Sequence, residues 1–218
     1  MKIFSLPADG MQSLFFDMDC TLYTHDEYAR TQIDLPVERL ARLQGKTFEE
    51  MRGEVAAFQK NWAESHGKKI SLGNTLLHFG ISIEEIIRWR EELYLPEKYL
   101  VRDEALRLAL VQLARRFSLA VVTNNPVSVA IRTFTVLGVH DILQKIVGLD
   151  TLCLSKPHEK ILREAAKLCG APLEHCVSVG DRYDIDIALP LELGMGGILV
   201  DGVEDVYKLP DLIMSPSA

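Results

Sequence analysis

The 218-residue chain is predicted to be an α/β protein, built on a parallel sheet buried on both faces and interrupted by an all-α insert. Three observations predict this. Apolar runs of strand length recur in the second half, with helix-sized segments between them. Residues 25–100 carry helical patterns and almost no strand-like run. The composition, 48% hydrophobic and 25% charged, suits a globular chain with a sizeable core.

The first strand-like run is SLFF (13–16), and LAVVT (119–123), KIVGL (145–149), CVSVG (176–180) and GGILV (196–200) follow. Each has the length and the β-branched or aromatic content of a buried strand. Pro126 opens a helix that carries Val129, Ile131, Phe134 and Leu137 to a stop at Gly138. Pro157 opens another, with Ile161, Leu162, Ala165 and Leu168 on its apolar side and Gly170 as its stop. A third spans about 184–194. Strand and helix in alternation require right-handed crossovers, which cover both faces of a parallel sheet.

Within the insert, Asp34 and Pro36 are expected to start a short helix ending near Gly45. Thr47 with Glu50, and Ser82 with Glu85, have the spacing of capping boxes. Met51, Val55, Phe58 and Trp62 recur at helical spacing and are assigned to the insert's core.

Composition also excludes. No run of about 18 apolar residues occurs, and the N-terminus MKIFSLPADGMQS lacks a basic start and a small-residue cleavage site, so a cytoplasmic protein without a membrane partner is expected. The net charge of −7, with no basic cluster beyond Lys68–Lys69 and Arg115–Arg116, argues against nucleic acid. The four cysteines show no CxxC or metal-ligand spacing and read as reduced thiols. None of the six histidines is spaced with an acid as a triad or zinc site requires.

The stretch FFDMDCTLY (15–23) sets Asp17 and Asp19 directly behind the first strand, at the end of a parallel sheet where ligands bind. Alone, such a pair is also what a turn or cap would use. An EF-hand is excluded, because Leu22 and Tyr28 stand where glycine and glutamate belong. A cysteine-phosphatase loop on Cys20 is excluded too, because Asp26 stands where its arginine belongs. Two carboxylates about 4 Å apart repel by about 4 kcal/mol at an effective dielectric near 20, so the pair calls for a cation or a shifted proton. A divalent, oxygen-preferring ion such as Mg²⁺ fits, and further acids follow the fourth strand at Asp181, Asp184 and Asp186. The remaining strand ends supply TNN (123–125) and Lys156 just before Pro157, groups suited to a phosphoryl anion.

With DMDCTLY, TNN, SKP and GDRYDID in order behind strand-like runs, the chain resembles the haloacid dehalogenase-like (HAD) hydrolase superfamily, subfamily I, with a helical C1 cap. Its nearest likeness is to the pyrimidine 5'-nucleotidase and phosphoglycolate phosphatase-like members. The resemblance covers essentially the whole chain and implies a Rossmann-like three-layer core from 1–24 and 101–218, with 25–100 as a mobile cap. It implies Asp17 as nucleophile and Asp19 as acid and base. Mg²⁺ would be held by Asp17, the Asp19 carbonyl and Asp181, and the phosphoryl oxygens by Thr123, the Asn124 backbone and Lys156. Asp186 would orient Lys156 or a metal-bound water, with Asp184 as the weaker candidate for that part. Two positions depart from the family pattern: Cys20 replaces the usual glycine or asparagine, and Arg182 stands where serine or aspartate is common.

The implied activity is Mg²⁺-dependent hydrolysis of a small phosphomonoester, with nucleoside monophosphates, phosphoglycolate and sugar phosphates as first candidates, by a monomer or weak homodimer. A 2-haloacid dehalogenase is the leading rival, and Asp19 speaks against it, since dehalogenases lack the second aspartate. A phosphomutase shares the aspartate pair, and a non-catalytic binding or regulatory protein on the same scaffold is the alternative of another class. Specificity should lie in the insert, where Arg30, Lys60, Trp62, His66, Lys68, Lys69, Arg88 and Arg90 are within reach but read as solvated or packing positions.

Overall fold

A computed structural model describes residues 1–7 and 10–214. Six strands form one sheet: β1 (Lys2–Ser5), β2 (Ser13–Phe16), β3 (Ser118–Val122), β4 (Ile146–Val147), β5 (Cys176–Gly180) and β6 (Gly196–Leu199). Their spatial order is β1-β6-β5-β2-β3-β4. All neighbours pair in parallel except β1, which runs antiparallel to β6. β2 lies between β3 and β5, so the chain reverses its direction of winding there. Such a reversal opens a crevice beyond the strand's carboxyl end, and Asp17 is the next residue.

The period-2 alternation of β2 divides the core between two layers of helices. Leu14 and Phe16 face one cluster with Val121, Val177 and Val179, covered by α5 (Glu104–Ala114), α6 (Val127–Leu137) and α10 (Val203–Ile213). Phe15 faces the other with Ala120, Val122 and Val147, covered by α8 (Glu159–Cys169). Each such fully buried large side chain contributes about 1.5–3 kcal/mol of transfer free energy. The α/β class with a three-layer, Rossmann-like core and a helical cap is therefore the architecture observed.

All five expected strands are present. β4 is cut to two residues, followed by the short α7 (Leu149–Leu152), and Gly148 between them passes the loop after β3 so closely that a Cβ there would lie 2.8 Å from the Asn125 carbonyl oxygen. The strand not anticipated, β1, is a short and largely exposed edge strand, so it lacks a buried apolar face to announce it. Gly138 and Gly170 end α6 and α8 in the left-handed conformation. Leu168 departs from expectation: it is 40% exposed, and Ala166 takes its place in the core. The expected helix at 184–194 begins as a π-helical turn (Tyr183–Ile187) before the short α9 (Ala188–Glu192).

The insert holds α1 (Asp26–Leu43), α2 (Phe48–His66), α3 (Leu72–His78) and α4 (Ile83–Leu93). α1 starts at Asp26, not at Asp34, and Pro36 sits inside it. The His25 side chain caps it by accepting from the Tyr28 N–H at 3.2 Å. An interior proline costs about 3 kcal/mol, and burial of Val37, Leu40 and Ala41 against the neighbouring helices outweighs it. Thr47 and Glu50 form the complete capping box. Ser82 caps α4, but Glu85 reaches Arg88 and Trp89 instead of the cap. Met51 and Val55 lie in the insert's core. Phe58 and Trp62 are half-buried instead, stacking on His78 and His66 at 3.9 and 3.8 Å between ring centroids. No helix among the described residues is long and apolar enough to cross a membrane.

Candidate active site

The loops after β2, β3, β4 and β5 converge beyond the sheet. Asp17 continues β2, its N–H bonded to the Val179 carbonyl at 2.8 Å, and it is 3% exposed. Its Oδ1 accepts from Lys156 Nζ at 2.6 Å. The same ammonium donates to Asp186 Oδ1 at 2.8 Å and to the Val122 carbonyl at 2.7 Å, so its three hydrogens are all engaged. Burial alone would pull the Lys156 ammonium down, but Asp17 and Asp186 outweigh it and hold it above the ordinary lysine value. Lys156 thus sits below the open cleft, bonded to the acids rather than projecting into it.

Asp19 points the other way. Its Oδ1 accepts from the Tyr23 hydroxyl and from Gln32 Nε2 at 3.0 Å, and its Oδ2 from Asn125 Nδ2 at 2.7 Å. Burial, and then the charge of Asp17, pushes its carboxyl above the usual range. The pair that looked mutually repulsive is separated by giving each carboxylate its own donors. Cys20, between them and the next turn, has φ +57°, a left-handed conformation that explains why glycine or asparagine suits the position. Its thiol is pushed up to about 12 by burial and then by Asp181, Asp19 and Asp17.

Thr123 and Asn124 directly follow β3. Thr123 Oγ1 accepts from the Asn125 N–H at 3.1 Å, while Asn124 Oδ1 accepts from the Lys156 N–H at 2.6 Å. The second of these bonds ties the loops after β3 and β4 together. After β5, Asp181 and Asp186 turn back on the site. Gly180 permits this, since a Cβ there would collide with the Asp186 side chain. Asp186 Oδ2 accepts from the Arg182 N–H at 3.1 Å. Asp184 lies outside this group and accepts from the Lys69 N–H of the insert at 3.2 Å. Arg182 lies 3.8 Å from Asp181 and 4.0 Å from Asp186.

Carboxylate oxygens of Asp17, Asp181 and Asp186 lie within 4.8 Å of one another. Asp17 Oδ2 and Asp181 Oδ1 are buried with no hydrogen-bond partner. Burial first, and Asp17 second, pushes the Asp181 carboxyl up to about 7. Orphaned hard oxygen donors facing one another are what a divalent, oxygen-preferring cation satisfies, so these residues fit Mg²⁺.

A cleft of about 210 Å³ opens above this floor, bounded by Asp19, Cys20, Asn124 and Asp181 below and by Gln32, Ser71, Arg90 and Tyr94 of the insert above. Three insert residues here escaped the sequence reading. Gln32 and Tyr94 are joined by a 2.7 Å bond from the Tyr94 hydroxyl to the Gln32 carbonyl. Ser71 meets Ser155 at 3.2 Å between hydroxyl oxygens. Of the eight polar or aromatic candidates in the insert, Arg90 alone is buried, and it donates to the Asn124 carbonyl and Asn125 Oδ1, each at 2.8 Å. Apart from the paired hydroxyl and acid at Tyr23–Asp19, four residues apart, no local pattern marks these contacts.

A family model described as haloacid dehalogenase-like hydrolase matches residues 11–193, which contain every one of these loops. The chain belongs to the haloacid dehalogenase-like hydrolase family. This hydrolase is 37% identical over 68 residues to the phosphoglycolate phosphatase of Colwellia psychrerythraea, a match covering 31% of the chain and 30% of that protein. It is 27% identical over 192 residues to the glyceraldehyde 3-phosphate phosphatase of Methanopyrus kandleri, covering 85% and 82%. The first three curated relatives are matched over less than a third of their own length, 30%, 22% and 29%. Among solved structures, the HAD phosphatase from Thermococcus onnurineus superposes with a TM-score of 0.60 at 18% identity, over 93% of the hydrolase and 98% of that chain. The fold is shared.

Proposed function

We propose that the protein is a Mg²⁺-dependent phosphatase that hydrolyses a small phosphomonoester through an aspartyl-phosphate on Asp17, with residues 25–100 acting as a cap over a core of 1–24 and 101–218. The observation that carries this reading is the division of labour between two carboxylates two residues apart. Asp17 is held by Lys156, while Asp19 is held separately and pushed toward its protonated form.

In the first step Asp17 attacks phosphorus, and Asp19 gives its proton to the leaving alkoxide as the ester bond breaks. In the second, water attacks the aspartyl-phosphate and returns a proton to Asp19, releasing inorganic phosphate and the free Asp17 carboxylate. Thr123, whose hydroxyl oxygen already accepts from Asn125, has its own hydrogen to offer a phosphoryl oxygen, and the Asn124 backbone is its partner in that role. Lys156 orients Asp17 and binds a phosphoryl oxygen by exchanging one of its three acceptors. Asp186 holds Lys156 in place, and Asp184 is left to the contact with the insert. Asp17, Asp181 and the Asp19 carbonyl would hold Mg²⁺, which supplies charge neutralisation between a carboxylate nucleophile and a dianionic ester.

Asp19 favours phosphate over the halide chemistry of the dehalogenase rival. Phosphoglycolate and, among sugar phosphates, the triose phosphates are the leading substrates, in line with the names of the relatives, ahead of nucleoside monophosphates and larger sugar phosphates. The cleft is smaller than the ~300–1,000 Å³ that holds drug-sized ligands, which favours short chains. We take the protein to be cytoplasmic, with its four cysteines free, and a monomer or weak homodimer.

The test is release of inorganic phosphate from a panel of phosphorylated metabolites, with Mg²⁺ or with excess chelator, beside Asp17→Asn. Turnover should require both the metal and Asp17. Turnover that survives chelation or the substitution would overturn the mechanism, and halide release from 2-chloropropionate without phosphate release would favour the dehalogenase.

A further inference from the structure

Arg90 stands out among the charged groups of the insert. It is 8% exposed, yet no carboxylate among the described residues pairs with it. Buried cations are ordinarily paired, because desolvation of an uncompensated charge is costly. Its Nη1 is spent on two oxygens of the loop after β3, the Asn124 carbonyl and Asn125 Oδ1. Its Nε is buried without a partner, and Nη2, which an added Cβ on Gly73 would approach to 3.5 Å, makes no hydrogen bond among the described residues. The donors left unsatisfied are therefore Nε and Nη2, which share one edge of the guanidinium and whose two parallel N–H groups match the two oxygens of a carboxylate.

The surroundings hold this edge in place. The guanidinium lies over the Tyr94 ring at 5.6 Å from its centroid, and its Nη1 bonds fix its rotation. Neither acid that lines the cleft bonds to it: Asp19 feels its charge but is committed to Tyr23, Gln32 and Asn125, and Asp181 lies with Asp17 and Asp186. The cleft lined by Arg90 also reaches Asp19, Asn124 and Asp181.

We propose that Arg90 is a specificity-determining residue whose unpartnered Nε–Nη2 edge binds a carboxylate at the far end of the substrate, so that the preferred phosphomonoesters are short phosphorylated carboxylic acids rather than uncharged esters of equal length. This rests on the phosphatase reading above and names the substrate class within it. A site built around a buried donor pair discriminates strongly against a ligand lacking the matching acceptor, because the donors are then left unpaired.

Two esters of the same length test it: 2-phosphoglycolate, which ends in a carboxylate, and 2-hydroxyethyl phosphate, which ends in a hydroxyl. With Mg²⁺ present, kcat/KM of the unsubstituted protein should favour the acid by about 30-fold, the scale of a charge-assisted hydrogen-bonded pair. In Arg90→Gln that preference should fall to within about threefold of unity, mainly through KM for the acid. Arg90→Lys, which keeps the charge but loses the fork, should fall between the two and serves if the glutamine variant does not fold. An unchanged preference in either variant, or an equal loss for both esters, overturns the inference and leaves Arg90 as a support of the loop after β3. Calorimetric binding of both esters to Asp17→Asn, with and without Arg90→Gln, separates this from the hydrolytic reading. An Arg90-dependent preference in binding without turnover by the unsubstituted protein removes the hydrolysis and keeps the carboxylate site; binding of neither ester overturns the carboxylate site as well.

Discussion

The floor and the roof of the cleft are built in different ways. The floor and the groups beneath it come from the loops beyond the strands: Asp17, Thr123 and Asp181 directly follow β2, β3 and β5, Lys156 comes after β4 and a short helix, and short bonds such as Lys156 to Asp17 at 2.6 Å lock the loops together. The roof is made of helix faces. Gln32, Ser71 and Arg90 come from three separate parts of the insert and meet the floor through one or two side-chain hydrogen bonds each. Floor residues depend on one another for charge, so removing one leaves another buried and unpaired. Roof residues depend on where the insert sits, so removing one loosens a contact without stranding a charge. The largest effects of substitution should therefore fall on the floor.

Lys156→Met is the most severe way to probe that difference. It leaves Asp17 and Asp186 buried without their shared cation, and loss of one partner from a buried ion pair costs about 3–5 kcal/mol. Urea unfolding should show that loss, together with loss of phosphate release. A small stability change would mean that the acids find other compensation. Gln32→Leu, on the roof, removes one of the three donors to Asp19 and should lower kcat by about tenfold, the scale of one hydrogen bond, with the unfolding midpoint nearly unchanged. A drop as large as that of Lys156→Met would erase the distinction between the two regions.

Acidity gives the floor a further signature. Asp181 is pushed up to about 7 from an ordinary value of 3.8. Between those values the folded protein keeps a proton that the unfolded chain has released, so this group's stabilisation is fully present below 3.8 and is lost as pH rises through about 7. Without metal, the unfolding midpoint should fall over that window, and Asp181→Asn should flatten the fall. Added Mg²⁺ should stabilise more at pH 8 than at pH 5, since it takes the place of the proton. The smallest effect expected lies far from both regions: Thr47→Ala removes the cap of α2 and should cost about 1 kcal/mol with no change in kcat.

The same contrast explains what could be read from the sequence. The strands of the core and the loops that follow them were legible because each motif residue is attached to a run of buried, β-branched or aromatic side chains. Asp17 after SLFF and Asp181 after CVSVG need only local context. Gln32 and Tyr94 carried no such mark, because their contacts span thirteen residues from Gln32 to Asp19 and sixty-two from Tyr94 to Gln32. Arg90 was one of eight candidates, and only the packing of α4 against the core sets it apart from the exposed Arg88 two residues earlier. Pro36 suggested a helix start that tertiary burial overrode, and β1, exposed at the sheet edge, offered no apolar pattern.

The central claim, a covalent phosphoryl group on Asp17, is open to direct chemical trapping. Protein mixed with Mg²⁺ and a phosphomonoester that it turns over, quenched in acid, then reduced with borohydride and digested, should yield the peptide containing FFDMDCTLY with homoserine at position 17. Aspartate unchanged at that position during steady-state turnover, or homoserine at Asp19, Asp181 or Asp186 instead, would contradict the account.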